Sequence, residues 1–169
     1  MLASGDDDNT GDFYNINGTL IAVADDTTND QYIITSRSTS TGAILSTLLS
    51  YDYDDSSDVG YTFYEGDDAL YWTIYDSSTL SFTVIRYPLS GSATEIYSTT
   101  LSDSLVGKAV DASGGKVLIA YKYVATRDDS GVATSYTTVG LLYTVSSETS
   151  SELSLSDFFE NYMQLLIFE

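Results

Sequence analysis

The stretch EGDDALYWTIYDSSTLSFTVIRYP, residues 65–88, decides the fold class of this chain. Its β-branched and aromatic residues predict two strands, at 69–75 and 81–87. The segment between them, residues 76–79, is rich in Asp, Ser and Thr, which favour turns. The stretch therefore predicts an antiparallel hairpin, and it contains the only tryptophan, Trp72.

Weaker copies of this pattern lie on both sides of the hairpin. A glycine, a short strand, a polar turn and an apolar strand recur over residues 11–26, 60–76 and 107–122. Four short antiparallel strands with their turns need about 40–50 residues, which is the length of one β-propeller blade. The aligned leucines, at spacings of about 50, 48 and 48 residues, are Leu20, Leu70, Leu118 and Leu166. We expect the first three on the innermost strands or between blades.

The repeat predicts an all-β fold made of antiparallel blades of a partial β-propeller, about three blades and a terminal strand. The alternative is a β-sandwich. The predicted units span residues 11–59, 60–106 and 107–163, and another begins at 164–169, after an acidic tether at 1–10.

Three further predictions concern the third unit and the C-terminal segment. The third unit is predicted to turn at residues 127–131 and to continue with two strands, 134–139 and 141–145. A short helix could form in residues 155–166. The apolar end, residues 165–168, predicts an edge strand that needs a partner: either the chain is a piece of a longer protein, or another protein completes the strand.

The composition restricts the partners of this chain. Its 25 acidic and 6 basic residues give a net charge of −19, which repels phosphate backbones and anionic lipids. Such a surface suits cations, cationic ligands or neutral polar ligands such as sugars. Because Cys and His are absent, thiol catalysis, Ser–His pairs and the usual zinc sites are excluded. No segment has the ~20 apolar residues of a transmembrane helix.

The pattern of residues 31–42, 69–76 and 83–91, together with the acidic tether, resembles the β-propeller lipoproteins on the surface of Bacteroidota. This resemblance implies an extracellular protein at the bacterial outer membrane that binds a glycan or siderophore and assists an outer-membrane transporter. It assigns no functional residue. The alternatives are a structural or assembly subunit of a surface layer or appendage, and a fragment of a carbohydrate-active hydrolase.

Aromatic side chains of the central hairpin are the candidate ligand-binding residues. Strand alternation places Trp72 with Leu70 and Ile74 on one face, which we expect to be core. Tyr71 and Tyr75 lie on the other face and form the expected exposed pair. The ligand-binding candidates are Tyr61, Tyr64, Tyr71 and Tyr75.

Acidic turns are the candidate metal sites, and calcium is the candidate ion because it prefers carboxylate oxygens. The candidates are Asp6, Asp8 and Asp12 in one segment and Asp54 and Asp58 in another. The alternative is that these are solvated turns. The carboxylates form no recognisable catalytic motif, so no catalytic residue is assigned. We expect Arg37, Arg86 and Arg127 to pair with neighbouring carboxylates.

Overall fold

The structure is a computed structural model that describes residues 11–54 and 56–153. Within these ranges the chain is all-β, with three antiparallel four-stranded sheets whose strands follow one another in chain order. The first sheet contains β1 (Asp12–Ile16), β2 (Thr19–Asp26), β3 (Gln31–Arg37) and β4 (Ile44–Asp52). The second contains β5 (Val59–Glu65), β6 (Leu70–Asp76), β7 (Ser81–Tyr87) and β8 (Thr94–Thr100). The third contains β9 (Leu105–Ser113), β10 (Lys116–Arg127), β11 (Ala133–Thr144) and β12 (Thr149–Glu152).

The first two sheets share one pairing register, which is direct structural evidence for the repeat. Leu20 pairs with Asn15 in the first sheet, and Leu70 pairs with Glu65 in the second. The β3–β4 ladder shifts register after Ile34, and the β7–β8 ladder shifts at the equivalent position. Equivalent residues of the two sheets are therefore about 50 positions apart.

The third sheet follows the same plan with a different offset. Asn17 and Gly18 form the first two-residue turn with φ values of 49° and 76°, and Gly114 and Gly115 form the corresponding turn with 59° and 73°. Positive φ at both positions is the geometry of a tight hairpin turn, which asparagine and glycine adopt readily. Counted from this turn, the residue equivalent to Leu70 is Val117.

The predicted alignment of Leu118 with Leu70 is therefore wrong by one residue. A shift of one residue moves a side chain to the opposite face of a sheet. Val117 is buried against the second sheet, whereas Leu118 is half-buried on the other face. All three aligned positions, Leu20, Leu70 and Leu118, lie on the second strand of their sheets.

The prediction of two strands at 134–139 and 141–145 is also wrong, because β11 is a single strand of twelve residues. Gly140 does not interrupt it, since this residue pairs with Ala120 of β10. The long partner strand β10 supplies hydrogen bonds along the whole segment, which a local reading of the glycine does not reveal.

Two apolar cores hold the three sheets together face to face. The first core lies between the first and second sheets; its buried members are Ile16, Ile21, Val23, Ile34, Leu70, Trp72, Ile85 and Tyr87. The second lies between the second and third sheets, and includes Tyr71, Phe82, Val84, Val117, Ile119 and Tyr121. The second sheet is therefore covered on both faces.

Hydrogen bonds between sheets reinforce both cores. The hydroxyl of Tyr87 donates to the backbone oxygen of Leu48, 3.0 Å away. The hydroxyls of Tyr97 and Tyr121 lie 2.7 Å apart across the second interface. These phenols satisfy their polar ends while their rings fill the cores.

Placement of Trp72 in the core is confirmed, because its side chain is fully buried. The expected exposure of Tyr71 is wrong: only 1% of its surface is accessible. Tyr75 is half-buried, and its hydroxyl accepts a hydrogen bond from the backbone nitrogen of Leu105, 3.1 Å away. Both tyrosines face the third sheet, whose presence local alternation does not reveal.

Several predictions lie outside the described residues. These are the acidic tether at 1–10 with Asp6 and Asp8, the helix at 155–166, the terminal strand at 165–168 and the position of Leu166. In residues 11–54 and 56–153 there is no helix with the length and apolar character needed to cross a membrane.

Replacement of Trp72 by alanine tests the first core. Removing a fully buried indole costs about 3–5 kcal/mol, so Trp72→Ala should unfold at a much lower urea concentration than the unsubstituted chain. Phe13→Ala is the control, because Phe13 is 61% exposed and should change stability by less than about 0.5 kcal/mol. Equal effects of the two substitutions would contradict the described packing.

Two carboxylates stabilise turns in their ionised form. Hydrogen bonds from Ser78 and Thr79 lower the pKa of Asp76 to about 2. Arg127 and the backbone of Ser104 lower the pKa of Asp103 well below its ordinary value. The shortest contact between the Arg127 guanidinium and the Asp103 carboxylate is 2.7 Å.

Acid should remove this stabilisation. A carboxyl group with a pKa below its unfolded value of about 3.9 stabilises the fold above that pH and loses this effect as the pH falls towards its folded pKa. Asp76→Asn should therefore show a smaller decrease in melting temperature between pH 5 and about 2 than the unsubstituted chain. Asp111→Asn removes the same charge from an exposed strand position and should retain the full decrease.

Candidate ligand-binding cleft

Two carboxylates lie on the face of the first sheet that packs against the second. In β2, alternation puts Asp25 on the same face as Ile21 and Val23, which belong to the first core. Asp12 of β1 pairs directly with Val23 and shares that face. Asp12 is exposed and Asp25 is half-buried, so both charges lie where this apolar face meets solvent.

The interface opens into a cleft where these carboxylates lie. We name it the Tyr–Asp cleft; its volume is about 250 Å³, and its lining residues are Asp12, Tyr14, Val23, Asp25, Tyr32, Tyr61, Thr62 and Phe63. The first sheet supplies the carboxylates and two phenols, and β5 of the second sheet supplies the opposite wall. A ligand in this cleft would contact both sheets.

Aromatic rings surround the acidic end of the cleft. The Tyr32 ring lies 5.3 Å from the Tyr61 ring and 5.0 Å from the Phe63 ring, both with edge-to-face geometry. Tyr53, which follows β4, lies 4.7 Å from Tyr32 between ring centroids. Such distances are typical of favourable aromatic contacts, so the rings form one packed wall.

Hydrogen bonds connect this wall to the carboxylates and to the next turn. The Tyr53 hydroxyl donates to Oδ1 of Asp25 at 2.7 Å, and the Tyr14 hydroxyl donates to Oδ2 of Asp12 at 3.4 Å. The Tyr61 hydroxyl accepts from the backbone nitrogen of Asp54 at 2.9 Å. The phenols are thereby held in place around the opening.

The electrostatics of the cleft keep its phenols protonated. The hydrogen bond to Asp25, desolvation and nearby negative charge raise the pKa of Tyr53 well above its ordinary value of 10.0. Desolvation and Asp12 raise the pKa of Tyr14 strongly, and desolvation and Asp25 raise the pKa of Tyr32. Tyr14 and Tyr53 are therefore neutral phenols that donate to the carboxylates.

No lysine or arginine neutralises this charge among the described residues. The ion pairs there are Arg86 with Asp68, at 2.7 Å, and Arg127 with Asp103. The expected pairing of these two arginines is confirmed. Arg37 is different, because its guanidinium bonds the Thr35 hydroxyl and the Gly42 backbone oxygen.

The sequence candidates are only partly brought together. Tyr61 lines the cleft, whereas Tyr64, Tyr71 and Tyr75 lie on the opposite side of the second sheet. Sequence reasoning missed Asp25, Tyr32, Tyr53 and Phe63. The available signal was Asp25 itself, an acidic residue in phase with the apolar positions of its strand.

The metal candidates are dispersed. Asp12 lines the cleft, Asp54 accepts a bond from the Ser56 backbone nitrogen at 2.9 Å, and Asp58 lies beside Ser77. Within residues 11–54 and 56–153, no three acidic side chains are grouped in a way that could hold a metal ion. A calcium site that involves Asp6 and Asp8 stays a prediction, because these residues are outside the described ranges.

A second cavity, of about 610 Å³, lies on the outer face of the first sheet. Its walls are Phe13, Leu20, Arg37, Ile44 and the turn at residues 38–43. One sheet and its own turn form this cavity, so its shape depends on that turn. The Tyr–Asp cleft is the better candidate, because two packed sheets fix its walls.

The tyrosine titrations test the geometry of the cleft. Asp25→Asn should lower the pKa of Tyr53 towards 10.0, because it removes the charge that opposes ionisation. Asp12→Asn should instead lower the pKa of Tyr14 and leave that of Tyr53 in place. NMR titration of the tyrosine Cζ resonances measures both, and a shift of the same phenol in both variants would contradict the separate pairing.

Comparisons of the chain with protein-family models, with curated proteins and with solved structures give no match. A function for this chain is therefore inferred from the chemistry of the Tyr–Asp cleft.

Proposed function

We propose that this chain is an extracellular ligand-binding module whose sheets are consecutive blades of a β-propeller, and that the Tyr–Asp cleft binds a glycan. The blade arrangement is supported by the first strands, because β5 lies beside β1 on one side and beside β9 on the other. Face-to-face packing of successive four-stranded meanders is also what blades require. In this arrangement the first strand of each sheet is the innermost.

The observation that carries the proposal is the combination of aromatic rings and carboxylates between two sheets. Aromatic faces stack on the apolar faces of sugar rings, and the oxygens of Asp12 and Asp25 accept hydrogen bonds from sugar hydroxyls. An iron-loaded catecholate siderophore carries negative charge, which the carboxylates and the net charge of −19 would repel. A glycan is therefore favoured over such a siderophore.

Capture at a bacterial outer-membrane surface, beside a transporter, completes the proposal. The acidic, lysine-poor composition and the pattern of the repeat units support it. An assembly subunit is the second candidate function, and the outer face of the first sheet favours it. Phe13 and Ile44 on that face are 61% and 57% exposed, and such apolar patches are typical of contact surfaces. The hydrolase alternative stays a prediction.

Titration with a panel of neutral mono- and oligosaccharides, followed by NMR of the backbone amides, tests the binding function. At least one sugar should shift the amide resonances of Asp12, Asp25, Tyr32 and Tyr61. Tyr61→Leu should weaken that sugar about tenfold, or ~1.4 kcal/mol, because it replaces a stacking face with a flexible aliphatic chain. Tyr136→Leu, at a 49% exposed tyrosine of the third sheet, is the control and should bind normally.

Two results would overturn the proposal. One is a panel in which every sugar leaves the cleft resonances unchanged. The other is light scattering that shows large homopolymers whose formation Phe13→Ser abolishes, which would establish the assembly function instead.

A further inference from the structure

We infer that the Tyr–Asp cleft selects ligands that carry a protonated amine, such as an amino sugar. This inference rests on the proposed binding function and names the ligand class of the same site. It is carried by the placement of two carboxylates against an aromatic wall, with no basic side chain of the described chain paired to them.

The fold itself does not require these carboxylates. In the second sheet, the residues equivalent to Asp12 and Asp25 by register are Thr62 and Tyr75. The second interface closes around such residues, with Tyr75 bonded to Leu105 and no carboxylate at either position. Because the repeated architecture packs without them, a ligand gives the two acidic residues a role beyond the hydrogen bonds that they accept from Tyr14 and Tyr53.

The second interface differs from the first in the sign of the charge that it contains. Counted from the equivalent turns, Lys108 of β9 occupies the position that Tyr61 occupies in β5. Lys108 pairs with Tyr121 and lies on the face directed at the second sheet, where desolvation lowers its pKa. The second interface thus contains an ammonium group of the chain without the two carboxylates, whereas the first contains the carboxylates without an ammonium group.

The cleft can satisfy an ammonium ion in two ways at once. Tyr53 donates to Oδ1 of Asp25, and no donor of the described residues reaches Oδ2, which leaves this oxygen for a ligand. Tyr32, Tyr61 and Phe63 line the cleft, and aromatic rings supply cation–π attraction, which acts on a cation and not on a neutral group of the same shape. The carboxylates and aromatic rings together therefore distinguish a cationic ligand from a neutral ligand of the same size.

The size of the cleft limits the ligand. The cleft offers a volume of about 250 Å³, several times the ~30 Å³ that one water occupies in the liquid. This space holds one sugar ring or one amine head group and leaves the rest of a larger ligand outside. The terminal or branching residue of an amino-sugar-containing glycan fits this description.

Matched pairs of small molecules test the inference on the full chain. Choline is compared with 3,3-dimethylbutan-1-ol, its neutral isostere, and glucosamine with glucose, by NMR of the backbone amides. In each pair the cation should bind at least tenfold more tightly and shift the resonances of Asp12, Asp25 and Tyr61.

Charge-removing variants identify the groups responsible. Asp25→Asn should weaken the binding of choline at least fivefold and leave the binding of the isostere unchanged. Asp12→Asn should also weaken the binding of choline. Asp12 is exposed, so this substitution should not affect folding. Asp111→Asn removes one charge from the third sheet and should change choline binding less than twofold, because distant exposed charges are screened by salt.

The outcomes separate this inference from the proposed function. If neutral sugars bind in the cleft as tightly as their amines, the inference is overturned and the binding function stands. If neither sugars nor choline shift the cleft resonances, both fail. If calcium chloride alone shifts the same resonances and displaces choline, the cleft is a metal site and the inference is overturned.

Discussion

Tyr71 and Trp72 are consecutive residues of β6 that point to opposite faces of the middle sheet, and both are almost fully buried. Trp72 packs against the first sheet and Tyr71 against the third. A sheet with one solvated face would bury only one of them. The position of each outer sheet therefore depends on the apolar surface of the middle hairpin.

The cleft is a consequence of the same packing. Along β2, the positions facing the second sheet are apolar at Ile21 and Val23 and acidic at Asp25. The two sheets touch where the facing side chains are apolar. They stay apart where the facing side chains are charged, because carboxylates keep contact with water or a ligand. A site between two sheets thus arises by changing a few residues in a repeated framework.

The repeat makes the two interfaces comparable, residue by residue. Thr62 and Tyr75 in one interface correspond to Asp12 and Asp25 in the other. One interface is filled by its own side chains, including the Tyr97–Tyr121 pair, and the other is left open and acidic. The proposed binding site therefore belongs to the first interface and has no counterpart in the second.

Much of the fold followed from local patterns, whereas the site did not. The sequence by itself determined the hairpins, the turns and the buried face of Trp72, because alternation and turn residues act over a few positions. Only the tertiary structure decided that Tyr71 is buried, that Val117 and not Leu118 matches Leu70, and that Asp25 faces Tyr61. The physical reason is that these facts depend on which sheet covers which face, and contacts between residues far apart in the chain determine that.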